Sequence, residues 1–232
     1  MINRLTPDQS TTSARALILA SVRRYLAESA HADAVCESGA SVEQAMPPTG
    51  IDDDAVRRIE IFRDRLESVG GHCVVTRGEA EAIQALNQII ASLPGRRIAL
   101  SDAPLVSTLM KSAEPEIDEQ TIAPGAHELF GYDIGITTAQ AAIAETGTLV
   151  LESDRERHRL VSLMPPVHIA FINAADICAT LGDALERVRH DGSGAMSRTI
   201  TFITGPSRTA DIELTLTIGV HGPKELHVIV IE

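Results

Sequence analysis

The chain has 232 residues, a formal net charge of −12 at pH 7, 44% hydrophobic residues and only 3% aromatic residues. This length fits one large α/β domain rather than two complete enzyme domains. The acidic balance disfavours nucleic-acid binding, because neutralising phosphate groups supplies most of the affinity for nucleic acids. With few aromatic residues the core must consist of Val, Ile, Leu and Ala, as suits parallel strands buried between helices.

The sequence predicts a cytoplasmic protein. Its N-terminal segment MINRLTPDQSTT lacks the apolar centre of a signal peptide. No run of about 18 apolar residues is present, so we expect no membrane span. The cysteines Cys36, Cys73 and Cys178 form no CxxC pair. We therefore expect reduced, packed thiols rather than disulfides or iron–sulfur ligands.

Residues 1–50 are predicted to form an N-terminal helix and a loop ahead of a single α/β domain at 51–232. Apolar residues recur at helical spacing within 13–27, whereas residues 31–50 lose the pattern. A loop of this length is either a mobile tether or a functional lid. Asp52 is then predicted to cap a helix. Its expected apolar stripe is Ala55, Ile59, Phe62, Leu66 and Val69.

Strand and helix patterns alternate along the remaining chain. Strands are predicted at 72–76, 96–100, 133–137, 148–152, 167–172, 198–203, 211–218 and 226–232. Helices are predicted at 78–91, 104–111, 138–145 and 174–189. This alternation favours a three-layer α/β fold, with a mostly parallel sheet and helices on both faces.

The loop TGPSRTADIE, which follows a predicted strand, is a candidate anion site. Ligands of open parallel sheets bind beyond the carboxyl ends of strands, and the planar fork of Arg208 suits a carboxylate or phosphate. Alternatively, the loop is a simple turn in which Arg208 pairs with Asp211 or Glu213. The candidate ligand-binding residues of this loop are Gly205, Pro206, Ser207, Arg208, Thr209 and Asp211.

Two ionisable residues are candidate catalytic groups, His221 and Glu145. His221 and Gly222 follow a predicted strand, where a histidine can handle a proton or simply hydrogen-bond the turn. Glu145 is predicted to end the helix at 138–145, an unfavourable position for a carboxylate that points to function. Alternatively, Glu145 forms a structural salt bridge and Gly147 ends the helix. The neighbouring candidate ligand-binding residues are Thr146, Gly147 and Thr148.

Other motifs of catalysis or metal binding are missing from the sequence. It has no HxxxH, HxH or HExxH spacing, so a zinc site is not expected. It also has no GxSxG or GxGxxG motif, which leaves a nucleophile elbow or a dinucleotide loop without support. His168, at the start of an apolar strand, is predicted to be structural.

Three ordered stretches carry a family resemblance: GITTAQAAIAETGTLVLES, RLVSLMPPVHIAFI and TFITGPSRTADIELTLTIGVHGPKELHVIVIE. Over residues 132–232 the chain resembles the lactate-utilisation protein C family, also called the LUD domain. The resemblance implies the α/β fold of sugar-phosphate isomerases and CoA transferases, preceded by N-terminal helices. It also implies a role in oxidising L-lactate to pyruvate beside the iron–sulfur lactate-utilisation proteins A and B. No cofactor is expected in this chain, because it lacks the cysteine-rich motifs of the B component.

Three functions stay open at this point. The chain is a component of a lactate-oxidising complex that binds a small anion, or a free-standing enzyme acting on a phosphorylated or CoA-linked substrate, or a non-catalytic assembly or regulatory subunit. The ligand expected for the first two is a small carboxylate or a phosphate-bearing molecule.

Overall fold

A computed structural model of the protein describes residues 16–17, 19–24, 54–113, 115, 117–154, 159–190, 197–209, 217–219 and 221–232. The chain falls into two units, Met1–Pro47 and Pro48–Glu232. In the first unit, residues 16–17 and 19–24 are helical. The loop predicted at 31–50 lies outside the described residues.

The described residues of the second unit form four α-helices and twelve strands. The helices are α1 (Ala55–Ser68), α2 (Glu79–Ser92), α3 (Pro104–Ala113) and α4 (Leu181–His190). The strands are β1 (His72–Thr76), β2 (Arg97–Leu100), β3 (Glu119–Ile122), β4 (Ile134–Thr138), β5 (Ala141–Ile143), β6 (Thr148–Glu152), β7 (Val167–Asn173), β8 (Ile177–Cys178), β9 (Ile200–Ile203), β10 (Arg208–Thr209), β11 (Thr217–Ile218) and β12 (Glu225–Ile231).

Helix α1 begins at Asp54, whose side chain accepts a hydrogen bond from the Val56 amide at 3.0 Å. The predicted cap at Asp52 is therefore wrong, and the last of the three aspartates takes that position. The predicted apolar stripe is confirmed at Ile59, Phe62 and Leu66, which are buried. Val69, just after the helix, is partly buried, whereas Ala55 is exposed, so the stripe does not extend to the first residue. The side chains of this stripe hold α1 against the domain core.

A six-stranded, all-parallel sheet in the order β1-β12-β7-β4-β2-β3 forms the centre of the domain. Helices α2 and α3 cover one face, where Leu86 and Val106 pack against strand residues such as Ile136 and Phe171. Because these strands are covered on both faces, they read as near-continuous apolar runs. The predicted α/β class with a mostly parallel sheet is confirmed.

A second sheet, in the order β8-β5-β6-β9, covers the other face together with α1. Its inner side chains, such as Leu149 and Leu151, pack against Ala170 and Val228 of the parallel sheet. Its outer side chains pack under α4 through Ala184 and other residues. The sequence did not predict this sheet. With α4 outside it, this side of the domain has two layers instead of a single layer of helices.

The helix predicted at 138–145 is wrong: this segment ends β4 and then forms β5, the first strand of a hairpin with β6. High helix propensity of Ala is a weak preference that burial overrides. Here Ala142 faces the parallel sheet and Ala141 faces α4. These small side chains let the parallel sheet and α4 approach β5 closely from its two sides. Gly147, at φ +65°, turns the hairpin, and its amide donates to the Ile143 carbonyl at 3.0 Å.

The helix predicted at 174–189 is correct only in its second half. The chain first forms a 3₁₀ turn at Ala174–Asp176 and β8, and α4 begins at Leu181. Thr180 and Asp183 form a reciprocal cap, in which each backbone amide donates to the other side chain, at 3.0 and 3.2 Å. This capping box, spelled TLGD in the sequence, fixes the start of the helix.

Replacing Gly147 tests the contact between the hairpin and α1. A Cβ at this position would lie 2.3 Å from the Leu66 amide nitrogen, and the positive φ adds strain for any other residue. We expect Gly147→Ala to lower the free energy of unfolding by about 2–5 kcal/mol, measured by urea denaturation.

The matched control is Gly182→Ala in the first turn of α4, where a Cβ would make an ordinary contact of 3.6 Å with the Thr180 hydroxyl. This change should leave stability unaltered or raise it by about 0.4–1 kcal/mol. Equal losses for both variants would show that the close approach at Gly147 does not matter.

Candidate functional site

The predicted anion loop lies at a different edge of the fold from the one expected. Strand β9, which precedes it, belongs to the second sheet and pairs with β6 in an antiparallel arrangement. The loop therefore does not extend from the carboxyl end of a parallel strand, so that part of the prediction is wrong. It instead reaches the amino ends of β7 and β12, where it borders a cavity with His168 and Leu226.

This cavity, called here the Arg208 pocket, has a volume of about 290 Å³. It includes most of the predicted residues of the loop, together with His221 and Gly222. Its lining residues are Ser162, Leu163, His168, Phe202, Ile203, Thr204, Gly205, Pro206, Ser207, Arg208, His221, Gly222, Pro223 and Leu226. Thr209 continues into β10, and Asp211 lies outside the described residues.

Backbone hydrogen bonds join the two loops that form the pocket. The Ser207 amide donates to the Pro223 carbonyl at 2.9 Å, and the Gly219 amide donates to the Ser207 carbonyl at 2.9 Å. The Lys224 amide then donates to the Pro166 carbonyl at 2.7 Å. The loop that carries Arg208 is thereby tied to the segment that carries His221, although the two are distant in sequence.

A chain of hydroxyl groups connects the β5–β6 hairpin to the same loop. The Thr148 hydroxyl lies 2.7 Å from the Thr146 hydroxyl and 2.7 Å from the Thr204 hydroxyl. Thr204 lines the Arg208 pocket, whereas Thr146, Gly147 and Thr148 are absent from its lining. These hairpin residues support the loop from behind, as positioning groups, rather than contacting the cavity.

Glu145 lies apart from the Arg208 pocket. Its carboxylate accepts a hydrogen bond from the Leu181 amide at 3.0 Å, at the beginning of α4. A carboxylate at a helix N-terminus is favourably placed with respect to the helix dipole. The unfavourable placement inferred from the predicted helix is therefore wrong, and with it the reason for assigning Glu145 a catalytic role.

The described lining of the Arg208 pocket includes basic side chains in an acidic protein. The Arg208 guanidinium donates to the Val69 carbonyl and borders the cavity with His221. Of the described residues that line this pocket, none is Asp or Glu, while the whole chain carries a net charge of −12. Gly205, at φ +74°, lets the loop pass close to Val69, because a Cβ would lie 2.8 Å from the Val69 carbonyl oxygen. This arrangement favours an anionic ligand.

His168 forms a neutral, buried part of the pocket wall. Its Nε2 lies 2.9 Å from the Thr137 hydroxyl, and its Nδ1 is buried without a hydrogen-bond partner. Burial lowers the pKa of His168 from 6.5 to about 3, so the ring is uncharged at neutral pH. The ring is structural, as predicted, and its unpaired nitrogen is a buried polar atom.

A larger cleft of about 500 Å³, the switch-point cleft, lies at the opposite end of the parallel strands. The chain leaves β2 towards the edge strand β3 and leaves β4 towards β7, so two neighbouring strands send their connections in opposite directions. Open α/β sheets bind ligands at such a point. Its lining residues are Ala103, Pro104, Leu105, Thr138, Ala139, Gln140, Phe171, Ile172, Asn173, Asp176 and Arg187.

The polar groups of the switch-point cleft are largely paired with each other. Arg187 forms an ion pair with Asp176, which also accepts a hydrogen bond from Nδ2 of the Asn173 side chain at 3.0 Å. The Gln140 side-chain Nε2 donates a hydrogen bond to the Thr138 hydroxyl at 3.2 Å. Sequence reasoning missed this cleft because it applied the strand-end rule to β9. The usable signal was the pair of strands β4 and β7, since the residues at and after their ends, Thr138 and Asn173, line this cleft.

Two of the three cysteines lie among the described residues and in different sheets. Burial raises the pKa of Cys73 to about 12 and also raises the pKa of Cys178. Both are therefore held as neutral thiols, whereas metals and clusters bind the thiolate.

Within the described ranges, no group of three or more His, Cys, Asp or Glu residues is arranged to hold a metal ion. Likewise, none of the described helices has the length and apolar character needed to cross a membrane.

Comparison with known proteins assigns the family. A model of the LUD domain matches residues 59–231. The chain belongs to the LUD domain family. The match covers the parallel sheet, the second sheet and both cavities, and it confirms the family resemblance found in the sequence.

Curated relatives match parts of the chain. An uncharacterized protein of Neisseria meningitidis, NMB1437, is 35% identical over 66% of this chain and 64% of its own length. Proteins called lactate utilization protein C are similar over shorter segments. That of Shouchella clausii is 41% identical over 43% of this chain and 44% of its own length. That of Bacillus subtilis is 39% identical over 39% of each chain. The chain thus matches less than two thirds of the length of these relatives.

A solved structure shares the fold. The crystal structure of a DUF162 family protein from Deinococcus radiodurans superposes with a TM-score of 0.57 at 23% sequence identity. The superposition covers 77% of this chain and 99% of the other. At this identity the likeness establishes the architecture alone.

The buried His168 predicts a loss of stability in mild acid. Its pKa is about 6.5 in the unfolded chain and about 3 in the folded protein. Between these values the unfolded state binds the extra proton, so stability is present above pH 6.5 and falls as the pH drops towards 3. We expect this residue to remove about 1.4 kcal/mol of unfolding free energy between pH 7.5 and 5.5, measured by urea denaturation.

The variant His168→Gln should lose this contribution, so its unfolding free energy should fall less than that of the wild type between pH 7.5 and 5.5. His168→Asn serves as a second variant if His168→Gln folds poorly. The exposed His127 provides the matched control, since His127→Gln should keep the slope of the wild type. An unchanged slope in both His168 variants would contradict a neutral buried histidine.

Proposed function

We propose that this protein acts in lactate utilisation and binds a small carboxylate in the Arg208 pocket. Membership of the LUD domain family supports the first part, together with relatives that carry the name lactate utilization protein C. The observation that supports the second part is the charge of the cavity. A guanidinium and a histidine border it, and its described lining includes no carboxylate.

The geometry suggests how a 2-hydroxy or 2-oxo acid fits. The planar guanidinium of Arg208 provides parallel N–H donors for the carboxylate. His168, which is neutral, lies in the wall of the pocket beside this acid. His221 then serves as the proton-handling group, while Glu145 keeps its structural role at α4.

Oxidation of L-lactate to pyruvate releases two electrons and two protons. We assign the electrons to iron–sulfur clusters in partner proteins, the lactate-utilisation proteins A and B, since the described cysteines of this chain are buried neutral thiols. This chain then contributes substrate binding and proton handling. The cytoplasm, where such thiols stay reduced, is the compartment proposed for it.

Genetic complementation tests this function. Deletion of the gene should abolish growth on L-lactate as the carbon source and leave growth on glucose unchanged. Wild type should restore growth, whereas Arg208→Gln and His221→Gln should restore it poorly although they accumulate normally. The matched control is Arg57→Gln, which changes an exposed arginine on α1 whose side chain is 62% accessible. Normal growth of the deletion strain on lactate would refute the role in lactate utilisation.

The same strains distinguish catalysis from assembly. Full rescue by Arg208→Gln and His221→Gln would contradict the carboxylate site and support an assembly or regulatory subunit. Affinity-tagged wild type should retain cysteine-rich partners that contain iron. Purification without them, from cells growing on lactate, would contradict the proposed partnership.

The switch-point cleft supports a second candidate, a free-standing enzyme acting on a phosphorylated or CoA-linked substrate. Its volume of about 500 Å³ and its place at a topological switch point suit a ligand larger than lactate. A compound present at 100 times its dissociation constant should add about 2.7 kcal/mol of stability. Thermal stabilisation by sugar phosphates or acyl-CoA, with no response to lactate or pyruvate, would favour this candidate over the first.

A further inference from the structure

A second cavity of about 390 Å³ adjoins the Arg208 pocket and is called here the side trough. The two cavities share three lining residues, Leu163, His221 and Gly222. The described residues that line the side trough are Phe130, Leu163, Met164, Pro166, Gly219, His221, Gly222 and Lys224. The two cavities are therefore neighbours, and His221 and Gly222 contribute to the wall of each.

The side trough is lined mainly by apolar residues, and one of them, Phe130, is largely exposed to solvent. Phe130 is 76% exposed, more than any other large hydrophobic residue among those described. Phe130 belongs to a 3₁₀ turn, Glu128–Gly131. The preceding residue of this turn, Leu129, is buried and anchors it. The turn thus fixes an aromatic ring at the wall of a cavity, where it is available to an apolar ligand group.

The lactate molecule does not need this space. Allowing about 30 Å³ for each of its six non-hydrogen atoms, lactate occupies at most roughly 180 Å³. The Arg208 pocket alone, at about 290 Å³, exceeds this volume. A carboxylate held by Arg208 with its second carbon near His221 would direct a longer side chain into the trough.

We propose that the Arg208 pocket and the side trough together bind 2-oxo or 2-hydroxy acids whose side chain is larger than that of lactate, branched or aromatic, and bind them more tightly than lactate or pyruvate. This inference rests on the proposed carboxylate site at Arg208. The carboxylate provides orientation, and the apolar side chain provides the additional affinity. The aliphatic stem of Lys224 adds to the apolar wall while its ammonium group stays in water.

Isothermal titration calorimetry of the full chain tests the inference with three probes: pyruvate, 4-methyl-2-oxopentanoate and the neutral ketone 4-methyl-2-pentanone. Each methylene buried in the trough should improve affinity about fourfold, so three additional carbons should give roughly tenfold to sixtyfold tighter binding than pyruvate. The neutral ketone, which lacks the carboxylate, should bind at least tenfold more weakly than the matching acid. Arg208→Gln should weaken both acids.

The variant Phe130→Ala isolates the trough. It should reduce the advantage of 4-methyl-2-oxopentanoate over pyruvate at least threefold and leave the pyruvate affinity unchanged. The matched control is Ile122→Ala, an apolar residue on β3 that is 52% exposed and absent from both cavities, and it should change neither affinity.

The outcomes separate this inference from the proposed function. If pyruvate binds as tightly as the longer acid, the inference is overturned and the carboxylate site stands. If Phe130→Ala leaves the ratio of affinities unchanged, the trough is not the side-chain site and the inference is overturned. If the neutral ketone binds as well as the acid, or if neither acid binds, both the inference and the carboxylate site are overturned.

Discussion

The packing of the second sheet against the parallel sheet determines most of this architecture. Strands β5 and β6 are buried on both sides, between the parallel sheet and α4. Most side chains there are small or apolar, with Glu152 at the end of β6 as a buried exception, and the hairpin turn passes directly over the backbone of α1. Since β9 is hydrogen bonded to β6, the same packing carries the following loop to the amino ends of β7 and β12. The Arg208 pocket is therefore a product of contact between two sheets.

Individual strands were predictable because their signal is local. The runs HCVVT and TLVLE correspond to β1 and β6 residue for residue, since each is short, apolar and bounded by turn residues. The stripe on α1 was equally clear. The two failures concern Ala-rich or polar segments whose structure is set by distant contacts. The hairpin around Gly147 and the cap at Thr180 each had a sequence signal, a glycine turn and a capping box, which the apparent helical periodicity outweighed.

The candidate site was predictable in part. The chemistry of the loop at Arg208 and the position of His221 next to a turn were visible in the sequence, and the structure brings these two segments together. Glu145 was placed wrongly because its surroundings were inferred from a helix that does not form. The buried nitrogen of His168 and the switch-point cleft depend on strand order, and strand order cannot be read from the spacing of apolar residues.

The Arg208 pocket and the switch-point cleft lie at opposite ends of the same strand, β7. His168 is near the beginning of β7 and lines the Arg208 pocket, whereas Asn173 ends the strand and lines the switch-point cleft. Five residues separate them, which is roughly 17 Å along a strand. The described lining of the first cavity includes an arginine and a histidine and no carboxylate, whereas the second is lined by an ion pair. One fold thus offers two chemically different environments too far apart to act on the same small molecule.

The contact between Glu145 and α4 has a consequence for the order of folding. A helix of ten residues is too short to persist alone in water. Here its first amide depends on a carboxylate 36 residues earlier in the chain, and its apolar face depends on β5. Helix α4 therefore gains its stability only after the β5–β6 hairpin has closed. In the folded protein the hairpin supports this helix, so we expect a change that opens the hairpin to unfold the helix as well.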